Sequence, residues 1–287
     1  MLRSMYSGIS GMKNFQVKLD VIGNNIANVN TYGFKKGRTT FKDLVSQQIA
    51  GAAAPGLNRG GVNPKQVGLG SQLSSIDTVH TQGSLQTTGR PLDLGISGDG
   101  FFLLSDGAND YLTRAGNFYM DSEGTLVNSD GLKVFGYQVD EDNQFIVNDG
   151  KFSVGEMKIP TDAKSFSIGP DGQVTYISDA SSTPLLAGQI ILAKFPNTGG
   201  LEKAGGNLYR ETTNSGTIRN DMDEYVNISP PGTDGAGEVV AGALEMSNVD
   251  LSEEFTEMIV AQRGFQANTR IITTSDEILQ ELVNLKR

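Results

Sequence analysis

The feature that most constrains the fold is a spacing of seven between large apolar residues at both ends of the chain. Near the C-terminus the spacing is kept by Leu251, Met258, Phe265, Ile272 and Leu279. Near the N-terminus it is kept by Met5, Met12, Leu19 and Ile26. Such spacing places the side chains in one stripe along a helix. We therefore expect a long helix at each end.

A helix with a continuous apolar stripe needs a partner, because each large apolar side chain left in water forgoes about 1.5–3 kcal/mol. Residues 1–30 carry three basic residues and one acidic residue, and residues 250–287 carry four basic and seven acidic residues. These opposite charges favour pairing of the two ends as a coiled-coil-like unit. Two helices packed separately on a globular core are the alternative. Rods of roughly 42 and 54 Å, longer than a compact domain needs, favour the pair.

The middle of the chain changes to a period of two over residues 72–249, where short apolar segments are separated by turn sequences such as SDG and PDG. Strands are predicted at 101–104, 111–121, 124–131, 133–139, 151–154, 165–177 and 188–195. Residues 31–71 include a Gly- and Pro-rich stretch and are predicted to form an extended connector. The expected class is α+β, with an irregular all-β domain inserted between the terminal helices.

Composition excludes several classes of protein. The net charge is −10, although the first 42 residues hold seven basic residues and one acidic residue, and this balance argues against nucleic acid as a partner. Without Cys the chain has no disulfide and no thiolate metal site. No apolar run reaches the roughly 18 residues of a membrane span. The N-terminus lacks a secretory signal pattern, so export would follow a route that keeps it.

Few residues suggest chemistry. His80 is the sole His, and one His cannot build a metal cage or a catalytic triad, so a structural or surface role is expected. Asp140 and Asp142 resemble the start of a calcium loop, but Phe145 and Lys151 stand where that loop needs Gly and Glu. We expect no catalytic, metal or cofactor site. A soluble β-rich binding module or a glycosidase is a remote alternative.

Two long motifs resemble one known family. They read GNNIANVNTYGFKKGRTTFKDL at 23–44 and EMSNVDLSEEFTEMIVAQRGFQANTRIITTSDEILQELVNL at 245–285. The chain is similar here to the axial proteins of the bacterial flagellum, the rod and hook family, and TGRPLDLGISGDGFF and GNLYRETTNSG extend the similarity. Phe265 stands where a Tyr is common. Besides the nine stripe residues, we assign self-assembly to Asn24, Asn25, Asn28, Gly33, Phe34, Asn248, Gln262 and Arg263.

The resemblance implies a subunit of a helical tube. The terminal helices would form an inner layer around a central export channel, and the β domain would form an outer layer. The implied partners are further copies of the chain, adjoining rod and hook–filament junction proteins, the hook cap and the flagellar type III export apparatus. The implied location is the hook or basal body, outside the cytoplasmic membrane.

Within the family, the segments MIVAQR, LVNLKR and TGRPLDLGISGDGFF resemble a hook protein, whereas IPTDAKSFSIGPDG and the modest length are closer to the distal rod. The sequence favours a short hook protein, a flexible universal joint that transmits torque from rod to filament. The distal rod, a stiff drive shaft, is the alternative. Residues 51–70 would allow sliding in a hook, or would lock neighbours in a rod.

Overall fold

A computed structural model describes residues 2–56, 60–140, 144–148, 151–179, 183–220 and 224–285. The chain divides into two compact units. The helical unit comprises residues 1–27, 37–79 and 249–287, and the β unit comprises residues 28–36 and 80–248. Helices at both ends with strands between them confirm the predicted α+β class.

The helical unit contains helix α1 at Leu2–Ala27 and helix α2 at Leu251–Leu285. The helices are antiparallel, since Lys18 Nζ lies 3.1 Å from Glu257 Oε2 and Asn25 Nδ2 lies 3.2 Å from Glu254 Oε2. Farther from this end, the α carbon of Gly264 faces the ring of Phe15. The helices at the two ends therefore pack on each other, as the apolar spacing and the opposite charges predict.

The start of α2 is set by Asp250. Its Oδ1 accepts a hydrogen bond from Ser252 N–H at 2.8 Å, which satisfies one of the backbone donors left free in a first helical turn. Close approach of the helices depends on Gly264, because a Cβ there would lie 2.5 Å from Phe15 Cζ. The glycine thus makes room for an aromatic ring between two backbones.

The helical unit also contains four strands: β1 at Gly37–Asp43, β2 at Gln47–Ala50, β3 at Lys65–Val67 and β4 at Ser71–Thr78. β1 pairs antiparallel with β4, and β2 pairs antiparallel with β3. The sequence suggested only an extended connector for residues 31–71, which hold β1, β2 and β3, whereas β4 falls in the stretch assigned to the inserted β domain. The difference arises because four of the glycines and both prolines of this segment lie between β2 and β3, whereas β1 contains Thr39, Thr40 and Phe41, which favour strands.

The β unit contains the remaining strands and one short 3₁₀ helix at Thr198–Gly200. Its strands are β5 Leu85–Thr87, β6 Leu94–Ser97, β7 Phe101–Ser105, β8 Asp110–Thr113, β9 Tyr119–Met120, β10 Leu126–Val127, β11 Lys133–Gln138, β12 Val147–Asn148, β13 Lys151–Phe152, β14 Val154–Glu156, β15 Ala163–Ile168, β16 Gln173–Ser178, β17 Leu185–Ile190, β18 Leu192–Ala193, β19 Glu202–Gly205, β20 Leu208–Arg210, β21 Ile228–Ser229, β22 Glu238–Ala241 and β23 Ala243–Glu245.

The main sheet follows the order β15, β16, β17, β11, β7, β8, β20 and β19 within the described residues. Strand β7 is buried on both faces. Phe102 and Leu104 belong to one apolar cluster, whereas Phe101 and Leu103 belong to another. Side chains alternate between the faces of a strand, so this unbroken apolar run supplies a core to each face.

Four predicted strands are each divided in the structure. Residues 151–154 give β13 and the start of β14, and residues 188–195 give the end of β17 and then β18. Residues 111–121 give the end of β8 and then β9, and residues 165–177 give β15 and β16 with a turn between them. In that second turn Gly172 adopts φ +76°, a left-handed conformation that few other residues take readily. The PDG sequence therefore forms a turn inside the segment 165–177, as expected of the turn sequences named in the sequence analysis.

Candidate functional site

The motif residue Asn25 ties the end of α1 to the strand that follows it. Its Nδ2 donates to the carbonyl of Gly37 at 2.9 Å, and Gly37 N–H donates back to Asn25 Oδ1 at 2.9 Å. The same Nδ2 also donates to Glu254 Oε2 at 3.2 Å. Asn25 is almost fully buried, so an Asn at this position fixes α1, α2 and β1 together.

The next motif residues form a turn in the β unit. Thr31 Oγ1 donates to Asn28 Oδ1 at 3.1 Å, and Gly33 follows with φ +69°. Gly33 N–H donates to the carbonyl of Glu245 at 2.8 Å, and a Cβ on Gly33 would lie 2.6 Å from Ala115 N. Both its conformation and its close neighbours therefore require glycine.

A buried charge cluster lies beside this turn. It consists of Lys35, Arg114 and Glu245, and their side chains are at most 3% exposed. Glu245 Oε1 accepts from Lys35 Nζ at 2.6 Å and from Gly83 N–H at 2.9 Å, and Glu245 Oε2 accepts from Arg114 Nη1 at 3.2 Å. One carboxylate thus holds three separate stretches of chain.

The remaining donors of the cluster reach backbone carbonyls. Lys35 Nζ donates to Thr81 O at 2.8 Å, and Arg114 Nη2 donates to Gly98 O at 2.9 Å. Burial lowers the pKa of Lys35, and the adjacent Glu245 carboxylate partly offsets that effect. Two buried cations share one buried anion, so loss of one of these hydrogen bonds would leave a buried charge poorly compensated.

Asn248 links the two family-like motifs. Its Oδ1 accepts from Lys36 N–H at 2.8 Å, and its Nδ2 donates to Thr81 Oγ1 at 2.9 Å. Phe34 is buried nearby, with Lys203 Nζ 5.1 Å from its ring centroid. The motif residues Gly33, Phe34 and Asn248 therefore each contact neighbours within the β unit, and Asn248 joins the second motif to Lys36 of the first.

The stripe residues occupy a different environment, in the helical unit. Those that are half-buried are Met5, Met12, Leu19, Ile26, Met258, Phe265, Ile272 and Leu279. Leu251, Asn24, Gln262 and Arg263 are exposed, and Asn28 of the turn is half-buried. The structure thus brings the 17 proposed assembly residues into two environments, one in each unit.

Helix α2 carries two further apolar patches. The Phe255 patch comprises Leu251, Phe255 and Ile259, and the Leu282 patch comprises Ile278, Leu282 and Leu285. Their exposures range from 40% to 82%. Large apolar side chains clustered in this way are typical of interaction surfaces.

Residues suited to chemistry are sparse in the described ranges. The described residues include no group of three or more His, Cys, Asp or Glu that could hold a metal ion. Asp142, in the calcium-loop-like stretch, lies outside the described residues. No described helix is long and apolar enough to cross a membrane. His80 is half-buried, and its ring packs against Phe101 and Tyr209 at centroid distances of 5.6 and 5.5 Å.

Comparison with known families matches three parts of the chain. Residues 5–35 match the flagella basal body rod protein model, residues 95–176 the flagellar hook protein FlgE/F/G D1 domain, and residues 240–285 the flagellar basal body rod FlgEFG protein C-terminal model. The flagellar basal-body rod protein FlgG of Bacillus subtilis (strain 168) is 58% identical over 287 residues, with both chains fully covered. The chain belongs to the flagellar rod and hook protein family.

Other members of the rod and hook family align over the full chain at lower identity. The flagellar basal-body rod protein FlgG of Borreliella burgdorferi is 38% identical over 291 residues, with each chain fully covered. The flagellar hook protein FlgE of the same organism is 33% identical over 449 residues, again with full coverage of both. The chain is therefore a structural protein of the flagellar rod and hook, as the motifs indicated.

Sequence reasoning missed the buried charge cluster. Lys35 and Glu245 lie inside the quoted family motifs, but Arg114 lies outside both of them. A single Lys or Glu in sequence normally indicates a solvated surface position. The sequence offered one signal, which is that Lys35 lies in the first family motif and the oppositely charged Glu245 lies in the second. This signal does not by itself predict that the two side chains meet.

Proposed function

We propose that the chain polymerises into the distal rod of the flagellum, the stiff drive shaft that the sequence analysis held as its alternative to the hook. The observation that carries this proposal is the 58% identity to a rod protein over the whole chain. Length supports it as well. The rod relatives align over 287 and 291 residues, whereas the hook relatives need 449 and 473.

The proposed assembly surface comprises the exposed members of the assigned set, which are Asn24, Leu251, Gln262 and Arg263, together with the Phe255 patch. Buried members such as Asn25, Gly33 and Phe34 pack within their own unit instead. Burying a large side chain of this patch against a neighbouring copy would contribute about 1.5–3 kcal/mol. The proposed partners are therefore further copies of the chain and the adjoining rod and hook proteins. The role is structural rather than catalytic, and the names of the relatives as rod and hook proteins support this. Export through the flagellar type III apparatus is proposed from the family resemblance.

We assign the stiffness of the proposed rod to the hairpin formed by β2 and β3. Every residue of both strands is exposed, so the hairpin is free to contact neighbouring copies. In a rod such contacts would lock the subunits in place, whereas a hook needs neighbours that slide. On the rod proposal, residues 51–70 would therefore serve the locking function rather than the flexible one.

The shape of tubes formed by the purified chain tests the rod proposal. Electron microscopy should show straight tubes for the natural sequence. Replacing residues 47–67, which include both strands of the hairpin, by a Gly/Ser segment of equal length should give curved or fragile tubes, because chain length is kept while the locking side chains are lost. Tubes of the natural sequence that curve like a hook would contradict the proposal.

The assembly surface is tested by F255S. The substitution should raise the concentration needed for tube formation about tenfold or more, since 1.4 kcal/mol corresponds to a factor of ten. Gln266→Ser, on the same line of α2, is the matched control and should assemble normally. Sedimentation measures the unassembled fraction. Equal assembly by both variants would remove the Phe255 patch from the proposed surface.

A further inference from the structure

A cavity of about 340 Å³ lies in the β unit beside the buried charge cluster. We call it the His80 cavity. His80, Arg114 and Lys194 line it together with Asp99 and Phe101. The Phe101 ring packs against two of these side chains. Its centroid lies 5.6 Å from the centroid of the His80 ring and 5.3 Å from the guanidinium carbon of Arg114. Two potential donors therefore share one aromatic wall.

Three nitrogen atoms of these residues lack hydrogen-bond partners within the described part of the chain. They are Nδ1 and Nε2 of His80 and Nε of Arg114. The other guanidinium nitrogens of Arg114 are used, because Nη1 pairs with Glu245 and Nη2 donates to Gly98. The Arg114 side chain is only 3% exposed. Leaving a buried donor unpaired is unfavourable, so a group that accepts a hydrogen bond from Arg114 Nε would be favoured there.

The charges around the cavity are unusual for a chain of net charge −10. Lys35, Arg114 and Lys203 act on His80 and, after burial itself, lower its pKa to about 4. Of the cationic residues, Arg114 and Lys194 line the cavity itself. The acidic groups nearby are Glu245, which already accepts three hydrogen bonds, and Asp99. Tyr209, against the His80 ring, stays neutral because burial raises its pKa. The surroundings thus favour an anion.

We propose that the His80 cavity binds a small oxyanion through Arg114 Nε, His80 and Lys194. Arg114 would donate its free N–H, and neutral His80 would donate from one ring nitrogen. Lys194 Nζ donates to the carbonyl of Asp234 at 3.1 Å and has two further protons to offer. The oxyanion is either a free ion from solvent or a carboxylate side chain of a second copy of the chain. Both present the same charged oxygen atoms to the three donors.

Nuclear magnetic resonance of the imidazole tests the proposal directly, because His80 is the only His in the chain. The probe is sulfate, which keeps its charge through the acid range, with sodium chloride at equal ionic strength as the reference. The His80 signals should shift and saturate with sulfate alone. The pKa of His80 should rise from about 4 to about 5 or above, because an opposite charge within 4–6 Å favours the protonated ring.

Lys194→Gln should weaken sulfate binding roughly two- to fivefold, as expected for a partly exposed charge contact. Lys158→Gln removes the same charge from another exposed position of the β unit and should leave binding unchanged. Acetate at about pH 6 should shift the same signals if a carboxylate is accepted. Solid-state spectra of assembled tubes washed free of oxyanions distinguish the two sources, since only a side chain of a second copy would keep the shifted signals there.

Three results would overturn the proposal: unchanged His80 signals at high sulfate concentration, equal shifts with chloride and sulfate, or equal loss of binding in the two lysine variants. In each case the cavity holds solvent without selecting an anion.

Discussion

Replacing Glu245 by Gln tests how much the β unit depends on its buried charge cluster. The Glu245 carboxylate accepts hydrogen bonds from Lys35, Gly83 and Arg114 at 2.6–3.2 Å. Gln has almost the same volume, so E245Q removes the charge without opening a cavity. The amide nitrogen of Gln is a donor and cannot accept a hydrogen bond, so it would face N–H groups that the Glu245 carboxylate accepts from. Two buried cations would then lack their shared anion.

The expected cost is about 3–5 kcal/mol, the range found when one partner of a buried ion pair is removed. Full exclusion of both partners from solvent places the loss in this range, since the Lys35 and Glu245 side chains are each 0% exposed. With a urea dependence of about 3 kcal/mol per molar, the unfolding midpoint should fall by about 1–2 M. Because burial already lowers the pKa of Lys35, part of the loss should be recovered at high pH, where Lys35 can discharge.

Urea unfolding followed by near-ultraviolet circular dichroism measures this loss, because the packed Tyr and Phe side chains of the β unit give the signal. Glu156→Gln is the matched control. Glu156 Oε1 lies 2.7 Å from Lys133 Nζ, but both side chains are nearly half exposed, so solvent screens the pair. The control should keep almost the full midpoint. Equal losses for E245Q and E156Q would refute the reasoning that burial makes this cluster essential.

Three further outcomes are expected. Asn25→Ala should raise the concentration needed for assembly about tenfold or more, because it leaves buried hydrogen-bonding groups unpaired. Gln16→Ala, on an exposed part of α1, should not raise it. Equal sedimentation of the two variants would contradict this prediction. Gly264→Ala should weaken assembled tubes, because the added Cβ would force the Phe15 ring away. Gly23→Ala, with open space around its Cβ, should strengthen the tubes by about 1 kcal/mol. Disassembly by denaturant measures both effects, and stabilisation by both substitutions would be inconsistent with the helix packing. The pKa of His80 is about 4 in the folded chain and about 6.5 in the unfolded chain, so the folded chain binds fewer protons between these pH values and loses stability as the pH falls through them. The loss should be about 1–2 kcal/mol after allowance for partial exposure, and it should vanish in His80→Gln. If the pH dependence of the urea midpoint is the same in that variant, the prediction is refuted.

The helices could be predicted from the sequence because their information is local. A spacing of seven among residues such as Met258, Phe265 and Ile272 gives a stripe without reference to the rest of the chain. Asp250 at the helix start is equally local, since a cap acts within three residues. The observed helix Leu2–Ala27 contains the whole N-terminal stripe from Met5 to Ile26.

Pairing between distant strands and the buried cluster could not be predicted in the same way. Strand β8 pairs with β20, and Arg114 meets Glu245, across 131 residues of chain in the second case. Nothing near Arg114 distinguishes it from a surface arginine, because its burial is a property of the completed sheet. The division of 111–121 into two strands likewise depends on where the folded chain turns.

The choice between rod and hook shows a related limit. Short segments such as MIVAQR favoured the hook, whereas full-length comparison favours the rod alternative. The C-terminal helix matches a family model that rod and hook proteins share, so a short motif within it carries little information about which of the two the chain is. The aligned length separates the two kinds of relative more directly, at 287 and 291 residues for the rod proteins and 449 and 473 residues for the hook proteins.

Electron microscopy of basal bodies from cells that lack this gene tests the central claim most directly. The distal rod proposal predicts basal bodies whose rod stops short, with no hook attached. Basal bodies with a complete rod that lack only the curved hook would contradict it and would restore the hook as the function of the chain.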